Sequence, residues 1–151
     1  MKKISIALTA LTLTALAAAA PSASAQPAQS SPAPNNSVAA AAAADGYLYA
    51  WDGFARSGAQ CRWQGNDDNW DTCSGISMRN RASSLENRGY AGAYEDVDLY
   101  YSPSWQGSRN CLPNGYYLDN LTGIYFLWDG KAGQGQTMNN NIASHRWSNN
   151  C

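Results

Sequence analysis

The sequence predicts an all-β domain: antiparallel sheets packed as a sandwich and stapled by disulfides. Three observations predict it. Aromatic and aliphatic residues alternate with a period of two in three separate runs, glycine-bearing turns separate those runs, and four cysteines stand in a chain that opens like an export leader.

The leader comes first. Lys2 and Lys3, the uncharged apolar run Ile4 to Ala20 and the small-residue site Ala23-Ser24-Ala25 read as a signal peptide over 1–25. Cleavage after Ala25 leaves eight of the ten basic side chains against eleven acidic ones, a net charge of −3. That balance excludes nucleic acid as a partner. No later run approaches the roughly 20 apolar residues of a membrane span, so the expected product is secreted and extracellular, with no membrane partner. Residues 26–44 hold Pro27, Pro32, Pro34, Ser30, Ser31 and the alanines from Ala39 to Ala44, with no aromatic residue. Such a stretch cannot bury a core and is predicted to be a disordered Ala/Pro/Ser spacer with a frayed helical end. The domain is expected over 45–151, which carries all six Trp, all nine Tyr, both Phe and all four Cys.

Within it, Tyr47, Tyr49 and Trp51 alternate with Leu48 and Ala50. Val97, Leu99 and Tyr101 alternate with Asp96, Asp98 and Tyr100, and Ile124, Phe126 and Trp128 alternate with Tyr125 and Leu127. These read as strands. Gly53, Gly58, Gly65, Gly75, Gly107, Asn114-Gly115 and Asp129-Gly130 supply the turns between them. One helical turn is expected near Ser83 to Arg88, stopped by Gly89.

The cysteines, Cys61, Cys73, Cys111 and Cys151, are even in number in an exported chain, so two disulfides are expected. Three pairings are open. The favoured one joins Cys61 to Cys73 around a short loop and Cys111 to Cys151 at the carboxy terminus. Zinc is disfavoured, because no Cys-x-x-Cys occurs and His145 is the sole histidine.

An internal repeat organises the domain. Leu48-Tyr49 followed by Gly58, Cys61 and Gly65 resembles Leu99-Tyr100 followed by Gly107, Cys111 and Gly115 at an offset near fifty residues. Arg79-Asn80-Arg81-Ala82-Ser83-Ser84 resembles Asn140-Asn141-Ile142-Ala143-Ser144-His145 at an offset of 61, the insertion Thr122 to Gly135 absorbing the difference. Two halves of this size, at about 45–90 and 95–151, are each too small to bury a core alone and are expected to pack as paired Greek keys.

On these residues the domain resembles a βγ-crystallin: a sandwich of two Greek-key motifs, each with an aromatic-turn-Gly hairpin and an (Asn/Asp)-(Asn/Asp)-x-x-(Ser/Thr)-Ser stretch. Tyr101-Ser-Pro-Ser-Trp105-Gln-Gly107 matches the hairpin. With Cys61-Arg-Trp63-Gln-Gly65-Asn-Asp and the closing Asn139-Asn-Asn-Ile-Ala-Ser-His-Arg-Trp147, the chain from Gly46 to Cys151 is similar to exported actinobacterial proteins of the peptidase-inhibitor family typified by the streptomycete metalloproteinase inhibitor. The resemblance implies a monomeric, non-catalytic inhibitor of an extracellular peptidase, with metalloproteinases the first target class.

The residues offer three sites. A rigid exposed loop that fills a peptidase cleft binds at low entropic cost, and the Cys61 to Cys73 segment is the expected inhibitory loop, with Arg62, Trp63, Asp67, Asp68 and Trp70 as its contacts. The plainer reading of its tryptophans is core. No cofactor is required. The βγ-crystallin resemblance implies calcium as an optional ligand, held by Asn80, the Arg81 carbonyl and Ser83, and by Asn141, the Ile142 carbonyl and Ser144. Neither stretch carries a carboxylate, and the plainer reading is that these Asn and Ser side chains pin turns. Cell-wall carbohydrate is the alternative partner, with Tyr90, Tyr94, Tyr116 and Tyr117 as stacking faces. An enzyme is not expected: a single histidine without Gly-x-Ser-x-Gly, a phosphate-binding glycine loop or His-Glu-x-x-His leaves no catalytic constellation, and His145 reads as a partly buried structural residue.

Overall fold

Alternating side chains make a strand two-faced, and the strands of this protein sort by that rule into two antiparallel sheets. The computed structural model describes residues 39–40, 42–73 and 75–151, so the expected leader and residues 26–38 and 41 of the expected spacer lie outside it. The strands are β1 Ala39–Ala40, β2 Tyr47–Trp51, β3 Gln60–Trp63, β4 Ser84–Arg88, β5 Asp96–Ser102, β6 Gln106–Leu112, β7 Tyr116–Leu118 and β8 Ser144–Ser148. One sheet runs β1-β7-β4-β2-β3 and the other β6-β5-β8. Among the described residues no helix is long and apolar enough to cross a membrane.

The connectivity is that of two interlocked Greek keys. β7 follows β5 and β6 in the chain but pairs with β4 of the first half, Leu85 opposite Leu118. In exchange, Asp67 of the first half forms an antiparallel bridge with His145 of β8. Each half therefore completes the other's sheet. The residues Ala39 and Ala40, in the stretch read as spacer, pair with Tyr117 and Tyr116 along the edge of β7.

Leu48 and Ala50 of β2, Leu85 of β4, Val97 and Leu99 of β5 and Leu112 of β6 face inward and are fully buried with Trp70, Met78, Phe126, Met138 and Ile142. At about 25 cal/mol per Å2 of apolar surface, these side chains are the main source of stability. Tyr47, Tyr49 and Trp51 occupy the opposite face of β2, where Tyr49 and Trp51 stack at 5.7 Å and Arg88 lies 4.6 Å over the Tyr49 ring.

Two sequence expectations are corrected here. Ser83 to Arg88 is not a helical turn: Ser84–Arg88 is the strand β4, seated between β2 and β7. One turn has too few hydrogen bonds to hold alone, whereas a strand there satisfies its backbone on both sides and buries Leu85. The run Ile124 to Trp128 alternates only as far as Leu127, with Phe126 buried between exposed Tyr125 and Leu127; Trp128, expected on the face of Phe126, is 81% exposed, and the run forms no strand, only the isolated bridge Tyr125 to Thr137.

The repeat register is tighter than the motifs suggest, by two residues for Leu48, whose counterpart is Val97 and not Leu99, and by one for Cys61 and Ser83. Trp51 faces Ser84 and Tyr100 faces Ser144, which equates 47–51 with 96–100 and β4 with β8 at an offset of 60. A one-residue slip reverses the face of every strand side chain. Hence Cys61 lies opposite Ala50 in the core, while Cys111 lies opposite Asp98 on the outside. Cys111 bonds to Cys151 as expected. The expected Cys61–Cys73 bridge is not formed: both are buried thiols, with the Cys61 Sγ 3.7 Å from the Cys73 carbonyl. Free cysteine packs as a small apolar side chain, and burial pushes the Cys61 thiol pKa up.

Candidate functional site

Each half is closed by the same serine lock. The Ser84 hydroxyl donates to the Gly53 carbonyl at 2.7 Å and accepts from Arg56 N–H at 3.0 Å. The Ser144 hydroxyl donates to the Ser102 carbonyl at 2.7 Å and accepts from Trp105 N–H at 3.2 Å. The hairpins they hold are strained alike, Ala55 and Arg56 matching Ser104 and Trp105 at φ 51°, 57°, 55° and 57°. Ser144 is therefore the partner of Ser84, not of Ser83, and its hydroxyl is fully committed to the hairpin.

The expected calcium stretches meet at the junction of the two keys. Asn80 N–H donates to the Ile142 carbonyl and Asn140 N–H to the Ala82 carbonyl, each at 2.9 Å. The Ser83 hydroxyl lies 3.4 Å from Asn140 Oδ1. In the observed register the equivalent of Ser83 is Ala143, which has no hydroxyl. Asn141 is spent on local bonds to the Thr137 and Asn139 carbonyls, and Arg81 pairs with Asp52 at 2.7 Å.

The segment Cys61 to Cys73 is built inward more than outward. Trp70 is fully buried, stacks on Trp63 at 4.6 Å and donates its Nε1–H to His145 Nδ1 at 2.9 Å. His145 Nε2 lies 2.8 Å from the Gly65 carbonyl, so Nε2 carries the proton and the ring is neutral. Burial lowers the His145 pKa to about 4. The expected anchor Trp70 is thus core, and Trp63 is half-buried against it. Arg62 is exposed over the Tyr47 ring, and Asp68 is exposed while its carbonyl accepts Ser104 N–H. Asp67 is half-buried, bonds Asn69 N–H and has its pKa raised mainly by burial. With Asn69, Asp71, Thr72 and Trp105 these acids line a shallow acidic basin.

One surface loop that projects apolar side chains is the insertion after Leu121. Tyr125, Leu127 and Trp128 are 54%, 47% and 81% exposed, side by side in the chain, while Phe126 between them is buried. The backbone beneath is tied to β6: Leu127 N–H donates to the Arg109 carbonyl, Ser108 Oγ to the Leu127 carbonyl and Asn110 Nδ2 to the Tyr125 carbonyl, at 3.0, 2.6 and 2.7 Å. Ser108 N–H reaches the Ala132 carbonyl at 2.8 Å. The Trp128 indole lies on the backbone of Gly135, where an added Cβ would stand 2.2 Å from the ring. Sequence reasoning placed the anchors elsewhere because Trp128-Asp-Gly reads like Trp51-Asp-Gly, a strand end followed by a turn. The alternation about Phe126 was the available signal for Tyr125 and Leu127 alone, since it places Trp128 on the face of Phe126.

A solved domain from work on the evolution of the eye lens βγ-crystallin domain fold superposes on this chain with a TM-score of 0.51 at 16% identity, covering 73% of this chain and 91% of that one. The fold is a βγ-crystallin sandwich. Spherulin 3A of Physarum polycephalum is also similar, at 16% identity and a TM-score of 0.46, over 72% of this chain and 87% of its own. No protein-family model and no curated protein matches the chain. Identity at this level carries the fold and not a partner.

The βγ-crystallin junction provides a poor cage for calcium in this chain. Calcium takes six to eight oxygens, and carboxylates among them set its affinity. Here one side offers a hydroxyl and an amide oxygen, Ser83 and Asn140, the other has lost its hydroxyl at Ala143, and Arg79 and Arg81 stand in the first stretch. The donor set does not fit a tight calcium site. His145, closed between Trp70 and Gly65, has no free nitrogen with which to move a proton to a substrate.

Proposed function

We propose that this βγ-crystallin domain is a secreted, non-catalytic proteinase inhibitor that occludes an extracellular peptidase with the loop from Tyr125 to Lys131. The observation that carries the reading is that Tyr125, Leu127 and Trp128 project into solvent from a backbone fastened to β6. A loop ordered before binding loses little conformational entropy on docking, and Trp and Tyr are the side chains that most often dominate interface energy. Occupation of the cleft excludes substrate without any bond being made or broken. The residues from Cys61 to Asp67 and from Asn139 to Trp147 support the same reading by their resemblance to exported peptidase inhibitors, and the export-like leader supports an extracellular target.

The test is titration of the purified chain lacking 1–25, with Cys111–Cys151 intact, against metallo- and serine peptidases with residual activity as readout. Stoichiometric loss of activity in one class is expected, metallopeptidases being the first to try. The double variant Leu127→Ala/Trp128→Ala is expected to weaken inhibition by about a hundredfold, equivalent to two anchor side chains at more than 1 kcal/mol each. Full activity of every peptidase under equimolar protein refutes the reading. Unchanged inhibition by the double variant moves the site off this loop.

A further inference from the structure

At one end of the sandwich, where β2, β3 and β4 approach β8, lies an open groove of about 510 Å3 walled by Tyr90, Tyr94 and Trp147 and edged by Gln64, Asn66 and Arg146. It is separate in sequence from the loop of the proposed inhibition. We propose that this groove binds a pyranose oligosaccharide.

The first argument is the state of the aromatic rings. Tyr90 and Tyr94 are 67% and 66% exposed, which leaves large apolar ring faces in water. The Tyr90 ring and the Tyr94 backbone are nonetheless held in position. The Tyr90 ring lies against Gly46 and the Trp147 ring against Gly89, where an added Cβ would stand 2.7 and 2.6 Å from the ring carbons. Tyr94 sits at φ 58°, its N–H held by Asn149 Oδ1 at 2.5 Å. Trp147 N–H is bound to Asn66 Oδ1 at 2.8 Å, and its Nε1–H faces the Gly65 carbonyl at 3.2 Å. Exposed rings held in place form a platform rather than a collapsed cluster, and a sugar ring presents the flat C–H face that such a platform covers.

The second argument is the unspent polar capacity around the rings. Among the described residues the Gln64 amide, the Asn66 Nδ2 and the two tyrosine hydroxyls make no hydrogen bond, and Arg146 has neither hydrogen bond nor ion pair, only a distant ring contact with Trp105 at 5.9 Å. Donors and acceptors beside apolar faces match a ring whose rim is hydroxyl groups. The groove contains no carboxylate, and its one charge is Arg146, so it accepts neutral or acidic sugars and disfavours cationic ones. Its volume falls within the range of small-ligand clefts, roughly 300 to 1,000 Å3, enough for a short oligosaccharide.

The experiment is calorimetric and tryptophan-fluorescence titration of the same purified chain with tetrasaccharides of glucose, N-acetylglucosamine, mannose and xylose. Saturable binding of at least one is expected. Tyr90→Ala and Tyr94→Ala are each expected to weaken it at least about tenfold, with the thermal midpoint unchanged because both side chains are exposed. Trp128→Ala should leave sugar binding intact. Absence of saturable binding for all four probes at about 10 mM, equivalent to less than about 3 kcal/mol of affinity, overturns the proposal. Equal binding by the Tyr90→Ala/Tyr94→Ala double variant overturns it as well. Peptidase inhibition measured on the same variants keeps the outcome separate from that of the inhibitor reading.

Discussion

Asn80 and Asn140 are mirror partners across the junction of the two Greek keys: each has a left-handed backbone, φ 55° and 59°, and each sends its N–H to a carbonyl of the other's stretch at 2.9 Å. Asparagine tolerates that conformation better than other residues with a Cβ. Asn80→Gly is expected to leave stability unchanged within about 0.5 kcal/mol, whereas Asn80→Val should cost about 1 to 2 kcal/mol by strain alone. Urea unfolding midpoints of the two variants check it, since the Asn80 side chain is exposed and removes no packing.

The serine locks make a paired prediction. Ser84 and Ser144 are fully buried, and each hydroxyl satisfies a carbonyl and an N–H of its own hairpin. Ser84→Ala and Ser144→Ala should each destabilise by about 1 to 3 kcal/mol, the cost of leaving buried backbone groups unsatisfied. Ser83→Ala should cost less, because its contact with Asn140 is long, at 3.4 Å. The ordering, measured by denaturant melts, distinguishes the observed register from one that equates Ser83 with Ser144.

His145 makes stability depend on pH. Its folded pKa is about 4, against about 6.5 when unfolded, so below pH 6.5 the unfolded chain takes up a proton that the folded chain refuses. Stability is complete above pH 6.5 and falls as pH drops toward 4, by about 2 to 3 kcal/mol between pH 7.5 and 4.5. Asp67, whose folded pKa is raised, opposes this at the acid end, and Glu86, whose pKa is lowered by Arg88 despite burial, adds to it. Unfolding free energies of wild type and His145→Gln across that range isolate the histidine, and the same slope in both would show that other groups cause it.

The cysteines can be counted. Cys61 and Cys73 should react with a thiol reagent only after denaturation, giving two thiols per chain, while Cys111 and Cys151 give none until reduced. Selective reduction of Cys111–Cys151 is expected to cost up to about 4 kcal/mol, the loop-entropy value for its 40-residue separation. Detection of no thiols in the denatured chain would instead establish the second bridge.

Calcium gives a further check on the junction. With Ala143 in place of a hydroxyl and no carboxylate in either stretch, about 5 mM calcium should shift the thermal midpoint by less than about 1 °C. A shift of several degrees, reversed by chelator, would mean that Ser83, Asn140 and neighbouring carbonyls suffice.

The all-β class was legible in the sequence because period-two alternation is a local property: Leu48 and Ala50 against Tyr49 and Trp51 say which residues share a face without reference to any partner. The duplication was legible for a related reason, since turn glycines survive in the chain as spacings, whereas the even cysteine count left three pairings open and of the favoured two only Cys111–Cys151 is formed. Register was not legible. Motif spacing equated Ser83 with Ser144, and only the pairing of Trp51 with Ser84 and Tyr100 with Ser144 separates that reading from the observed one. A shift of one residue alters little in a motif comparison and reverses every side chain in space. Likewise Trp63 and Trp70 carry the same composition signal as Trp128, yet two pack around His145 and the third stands in water. Which tryptophan is core and which is surface depends on the exchange of segments between the two keys, a long-range contact with no local signature. The sequence by itself determined the all-β class, the turns and the central strands β2 and β5, and favoured the terminal bridge among three open pairings. The tertiary structure decided which face each strand buries, which serine locks each hairpin and which aromatic side chains remain free to meet a partner.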